Sequence, residues 1–104
     1  MYACSYEVPA DEQMYLRVKE AIGPEQPHGL VTHLVVKSDQ GLRHIGVWED
    51  QADWERFRDE RVQPAVRRVL QGAGVTQLPP PPVEETLEVV DLLTASRVPN
   101  VSPA

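Results

Sequence analysis

Cysteine is nearly absent from this chain. Cys4 is the single one in 104 residues, which excludes an intrachain disulfide and a cysteine-rich metal site. Positive charge is short as well: 10 Lys+Arg stand against 16 Asp+Glu, a formal net charge of -6. The densest basic group, Arg56, Arg58, Arg61, Arg67 and Arg68, is interleaved with Glu55, Asp59 and Glu60. That pattern describes a solvated, salt-bridged helix face rather than a phosphate-binding surface, so a nucleic-acid partner is disfavoured. No apolar run approaches the length of a membrane span, and the N-terminus lacks a basic region followed by an apolar stretch. A cytoplasmic protein that does not enter membranes is the expectation. Phosphate-cradling glycine loops and nucleophile elbows are also missing.

Aromatic residues are few, and their placement is informative. Both tryptophans and the only phenylalanine fall within 41–57, GLRHIGVWEDQADWERF, so that stretch is expected to anchor the core. Proline, by contrast, is plentiful at ten residues. Its clustering at Pro79–Pro82 predicts a stiff, extended spacer rather than a binding motif.

Hydrophobic periodicity supplies the elements. Tyr2 to Val8 alternates with a period of two and reads as a half-buried strand. Asp11 and Glu12 then suit the positive end of a helix whose stripe is Met14, Val18, Ala21 and Ile22, stopped by Gly23-Pro24. Leu30 to Lys37 is the most strand-like segment and, across Ser38–Gly41, forms a hairpin with Leu42 to Trp48. With a three-residue loop, Val35 lies opposite Ile45 and His33 opposite Val47; a two-residue loop changes these pairings. Asp50 is placed as an N-cap with Asp53 as the reciprocal acid of a capping box. Pro64 predicts a kink or break near Arg61–Gln63, with a second helical piece running to Gln71. Glu85 to Leu93 reads as a final strand, a short helix being the competing assignment. Residues 1–93 make one domain and 94–104 a loose tail.

Strand, helix, strand, strand, helix, strand is the order of the ferredoxin-like α+β fold, a four-stranded antiparallel sheet with both helices on one face. The strands are apolar on both faces, notably Val31 and Val35 against Leu30, Leu34 and Val36. The uncovered face therefore predicts a partner, and a second copy related by a two-fold axis is the simplest one.

Five stretches carry a resemblance: Gly29-Leu30-Val31-Thr32-His33, Val47-Trp48-Glu49-Asp50, Ala52-Asp53-Trp54-Glu55-Arg56-Phe57, Arg61-Val62-Gln63-Pro64-Ala65 and Leu87 to Leu93. In these the chain resembles the dimeric α/β-barrel proteins, distantly similar to antibiotic-biosynthesis monooxygenases. The resemblance implies a homodimer whose sheets pack face to face, with a ligand cavity in each subunit between sheet and helices. It implies no cofactor, and the Asn-Trp-His set of the haem-degrading relatives is not in recognisable places.

His33 is the candidate general base, a polar residue within the most apolar strand and expected to be buried. The plainer alternative is a core histidine bonded to backbone. Trp48, Trp54, Phe57 and Tyr6 are the candidate ligand-contacting rings, with ordinary core packing as the competing explanation. His44 is expected to be exposed or at the dimer seam, and His28 to face solvent from its loop. Histidine spacings of five and eleven, without a matching acid, supply no metal motif. Cys4, mid-strand and without a positive neighbour in the sequence, is expected to be inert. Three functions fit: a module binding a small apolar or aromatic ligand, a cofactor-independent monooxygenase or isomerase with His33 as base, or a structural dimer without a pocket.

Overall fold

A computed structural model describes residues 1–94. Apart from Thr94, the expected C-terminal tail lies outside the described residues. The elements are β1 (Tyr2–Val8), α1 (Glu12–Ile22), β2 (Leu30–Ser38), β3 (Gly41–Trp48), α2 (Gln51–Phe57), a π-helical turn (Arg58–Val62), α3 (Gln63–Gly72) and β4 (Glu85–Leu87). The strands form one antiparallel sheet in the order β2-β3-β1-β4, with β1 and β3 at its centre. This is the ferredoxin-like α+β arrangement. No helix among the described residues is long and apolar enough to cross a membrane.

Sheet alternation divides the side chains cleanly. Tyr2, Cys4, Tyr6, His44, Gly46, Trp48, His33 and Val35 share one face by strand register. Trp48 and Trp54 have ring centroids 5.6 Å apart, and Trp48 and Phe57 5.5 Å, so this face lies under the helices. Cys4, Trp48 and Trp54 form the main buried cluster, with Tyr2, Tyr6, Leu30 and Phe57 packed against it. Ala3, Leu42, Val47 and Ala65 are buried as well. Helix α1 has no fully buried residue; Met14, Tyr15, Val18, Ala21 and Ile22 are half-buried, and Leu16 is 57% exposed.

Four expectations are corrected by the structure. The hairpin closes with a two-residue loop, Asp39-Gln40, and Ser38 opposite Gly41. Val35 therefore pairs with His44 and His33 with Gly46, instead of with Ile45 and Val47. The register shifts between Leu30 and Thr32, which makes Val31 the extra residue of a bulge and turns Leu30 toward Trp48. Second, Pro64 does not interrupt the helical backbone; it enters α3 in its first turn, as expected of the second helical piece, and the irregularity ahead of it is a π-helical turn rather than a break. The π-helical turn widens just ahead of it, and the Gln63 N–H bonds the Arg58 carbonyl five residues back. That shift of hydrogen-bond register accommodates a residue with no N–H to give, so the chain stays helical from Gln51 to Gly72.

Third, Asp50 takes the extended N-cap conformation of α2 but makes no side-chain cap bond. Asp53 does not complete a capping box; it is buried beside Gly29, with Arg56 3.5 Å away. Fourth, the last strand is much shorter than Glu85 to Leu93. Only Glu85–Leu87 pairs with β1, and Val90 and Leu93 are left more than 90% exposed, at 93% and 92%. Asp11 and Glu12 stand at the positive end of α1 as expected, and Asp11 also caps the helix, its side chain accepting from the Met14 N–H at 2.8 Å.

Candidate functional site

The helix-facing side of the sheet carries a continuous run of rings. Tyr6 on β1 stacks on His44 of β3 with centroids 4.8 Å apart and planes 8° from parallel. On its other side Tyr6 stacks against Trp54 of α2 at 5.7 Å. Tyr15 of α1 meets His44 edge-on at 5.6 Å. His33 of β2 completes the row, its ring centroid 5.4 Å from that of His44. Strand pairing explains the last contact: Val35 sits opposite His44, so His33, two residues earlier, is the diagonal neighbour on the same face. Separation by eleven residues in sequence concealed this pair.

The two imidazoles are joined directly, His33 Nε2 lying 3.3 Å from His44 Nδ1. One ring must offer an N–H and the other a lone pair, so at least one of the two nitrogens is unprotonated. Both rings favour the neutral state. Partial burial against Tyr6 and Tyr15 pushes His44 down to about 4, and the neighbouring His33 adds to the shift. Partial enclosure also lowers His33, with a further push from the Lys19 ammonium on α1.

The expected site residues thus divide into two groups. Trp48, Trp54 and Phe57 form the enclosed core beneath α2 together with Cys4. Tyr6 bridges the two halves, and burial holds its hydroxyl far above the usual phenol range. His33 was expected to be buried, yet the residue is exposed. It lies on the edge strand β2. His44 was expected at the surface or the dimer seam, but it lies half-buried on the helix-facing side. It is the site residue that sequence spacing missed, and only the hairpin register could have revealed it. His28 is exposed as expected and lies 3.8 Å from Asp53.

Cys4 is enclosed, and burial raises its thiol to about 11, which leaves it protonated and inert at neutral pH. Among the described residues no group of three or more histidine, cysteine or acidic side chains converges as a metal site. Two open surface depressions lie elsewhere. One falls between α1 and α3 around Arg17, Ala21 and Val69, the other at the hairpin end around Pro9, Lys37 and Leu42. The ring row itself is packed from Trp54 through Tyr6 to His44, and it ends in the exposed His33 on the edge strand.

Compared with protein-family models and with curated proteins, the chain matches none. The class that the fold defines is a small ferredoxin-like α+β protein with a paired histidine on the helix-facing side of its sheet.

Proposed function

We propose that this chain is a homodimeric α/β-barrel protein of the antibiotic-biosynthesis monooxygenase-like kind, holding a small aromatic ligand between α1 and the sheet. The observation that carries the reading is the row of rings Tyr6, His44 and His33, which ends in an exposed ring on the edge strand and marks the proposed cleft. The exposed His33 ring offers a planar ligand a stacking face, and its Nδ1 offers a hydrogen bond. Dimerisation is supported by the helix-free face of the sheet. There Leu34 is 55% and Val36 37% exposed beside Ile45, with the Glu7–Arg43 ion pair, 3.0 Å, toward one side. Exposed aliphatic side chains on an uncovered sheet face are the kind of surface that a partner covers. The single cysteine, buried and unpaired, accords with a reducing cytoplasm.

A second reading is favoured by one observation, the exposed His33 ring held against His44 at 3.3 Å. An imidazole kept neutral at pH 7 is available to accept a proton, so the same cleft suits a cofactor-independent oxygenase or isomerase with His33 as base. The test is a screen of small aromatic compounds against the full chain, followed through the histidine ring signals by NMR, with His33→Ala as control. Binding that shifts the His44 signals and weakens in the variant supports the cleft. Compounds that bind parent and variant alike remove His33 from the site, and absence of any binder leaves a structural dimer.

A further inference from the structure

The contact between the two histidines is long for what it is. At 3.3 Å it lies beyond the roughly 2.7–3.2 Å of ordinary N–H hydrogen bonds, so as a hydrogen bond it is weak. The same separation has a different meaning for a metal ion. Two imidazole nitrogens bound to one tetrahedral ion at about 2.0–2.1 Å stand about 3.3–3.4 Å apart. His33 Nε2 and His44 Nδ1 thus already have the spacing of a chelating pair.

The strands hold that spacing for identifiable reasons. His33 pairs with Gly46 and Val35 with His44, so the two histidines are diagonal neighbours across β2 and β3. Diagonal positions lie about 7–8 Å apart, a gap that two imidazole rings nearly close. Gly46 puts no side chain beside them, and a Cβ there would stand 3.9 Å from His33 Cδ2. His44 is fixed by its stack on Tyr6 at 4.8 Å and by the edge of Tyr15, so its ring is oriented before any ion arrives. His33 is exposed on the edge strand, so an ion reaches the pair from solvent and needs no enclosed pocket.

We propose that His33 Nε2 and His44 Nδ1 together bind a divalent transition-metal ion of the zinc class. The proposal goes beyond the ligand-binding reading above and does not depend on it. Imidazole suits Zn2+, Ni2+ and Cu2+, whereas Mg2+ and Ca2+ call for oxygen ligands. When the ion binds, the proton between the rings moves to the outer nitrogen of the ring that carried it, His33 Nδ1 or His44 Nε2. The two remaining positions of the tetrahedron go to water or to the oxygens of a small ligand. Among the described residues no third histidine, cysteine or acid joins the pair, and the Lys19 ammonium, whose charge bears on His33, opposes a cation. Both facts make the affinity micromolar rather than nanomolar.

The experiment titrates the full chain with zinc chloride, with magnesium chloride as the control, and follows the histidine ring signals by NMR. Zinc should perturb the His33 and His44 signals together and saturate at one ion per chain, while magnesium leaves both unmoved. His33→Gln should weaken zinc binding roughly tenfold or more. That residue is exposed on an edge strand and lies outside the core cluster, so the variant should fold as the parent does. The competing surface site is His28 beside Asp53, 3.8 Å apart, and His28→Gln should leave the affinity unchanged. Zinc binding that survives His33→Gln, or that is lost with His28→Gln, overturns the proposal and leaves an adventitious ion only. His33 and His44 signals unmoved at millimolar zinc also overturn it. Neither result touches the aromatic-ligand reading, which is tested by organic compounds without metal.

Discussion

The indole N–H of Trp54 donates to Glu84 Oε1 at 3.0 Å, tying helix α2 to the end of the proline connector. Arg58 approaches the same carboxylate at 3.2 Å from the π-helical turn, while also holding Asp59 at 2.8 Å. Three parts of the chain meet at Glu84: the enclosed core, the widened helical turn and the exposed Pro79–Pro82 run that leads into β4. A stiff connector cannot fold back onto the sheet by its own contacts, so this partly buried carboxylate is what seats it.

Glu84→Ala should therefore cost about 1–3 kcal/mol, because it leaves a buried indole N–H and a guanidinium without their acceptor. Glu84→Gln keeps an acceptor for Trp54 and should recover part of that loss. The comparison is made by urea denaturation of both variants and the parent. An alanine variant as stable as the parent would show that the connector is seated by something else.

The histidine pair makes stability depend on pH in a definite direction. His44 has a folded pKa of about 4 against an ordinary value of 6.5, and His33 is shifted the same way. Above pH 6.5 both rings are neutral whether the chain is folded or not, and the stability from their packing is fully present. As the pH falls from 6.5 toward 4, the unfolded chain takes up protons that the folded chain refuses, so stability is lost. His44→Phe keeps a ring on Tyr6 and removes the main titrating group. Denaturation midpoints at pH 7.5, 6 and 5 should fall for the parent and fall less for the variant. Parallel profiles would remove His44 from this acid sensitivity.

Gly29 and Gly23 both have positive φ, 82° and 94°, but their surroundings differ. A Cβ at Gly29 would run into the Asp53 side chain, whereas one at Gly23 meets open space. Both alanine variants should lose about 1 kcal/mol to backbone strain, and Gly29→Ala roughly 1–2 kcal/mol more from displacing a buried carboxylate. Thermal melts of the pair measure the difference. Equal losses would show that Asp53 moves aside freely.

Much of the fold was legible because its determinants are local. The period of two in Tyr2–Val8, the Gly23-Pro24 stop and the β-branched run from Leu30 each specify an element without help from distant residues. The candidate site was only half legible. Trp48, Trp54 and Phe57 lie close in sequence and meet in the core, but the His33–His44 contact depends on a hairpin register that a one-residue change in loop length reverses. Pro64 marked the irregularity and the start of α3 but not the form the irregularity takes. Its missing N–H is a local fact, whereas its remedy, a π-helical turn in the residues before it, is a property of the whole helix. Val89 and Val90 favour strand by propensity, but β4 ends at Leu87, and β-propensity without a neighbouring strand does not hold a segment in a sheet.

The helix-free sheet face makes the proposed dimer testable at one position. Leu34 lies on edge strand β2 opposite Ile45, 55% exposed, with Val36 on the same face two residues on. In a face-to-face dimer such residues become core, and a carboxylate placed there would be desolvated against its own symmetry mate. In a monomer the same substitution places a charge in water and changes stability by less than about 0.5 kcal/mol. Leu34→Asp is thus expected to convert a dimeric parent to a monomer in sedimentation velocity at micromolar concentration. The histidine signals on the opposite face should keep their shifts, since His33 points away from the contact. A parent that sediments as a monomer would overturn the dimer itself, and a variant that stays dimeric would move the interface off this face.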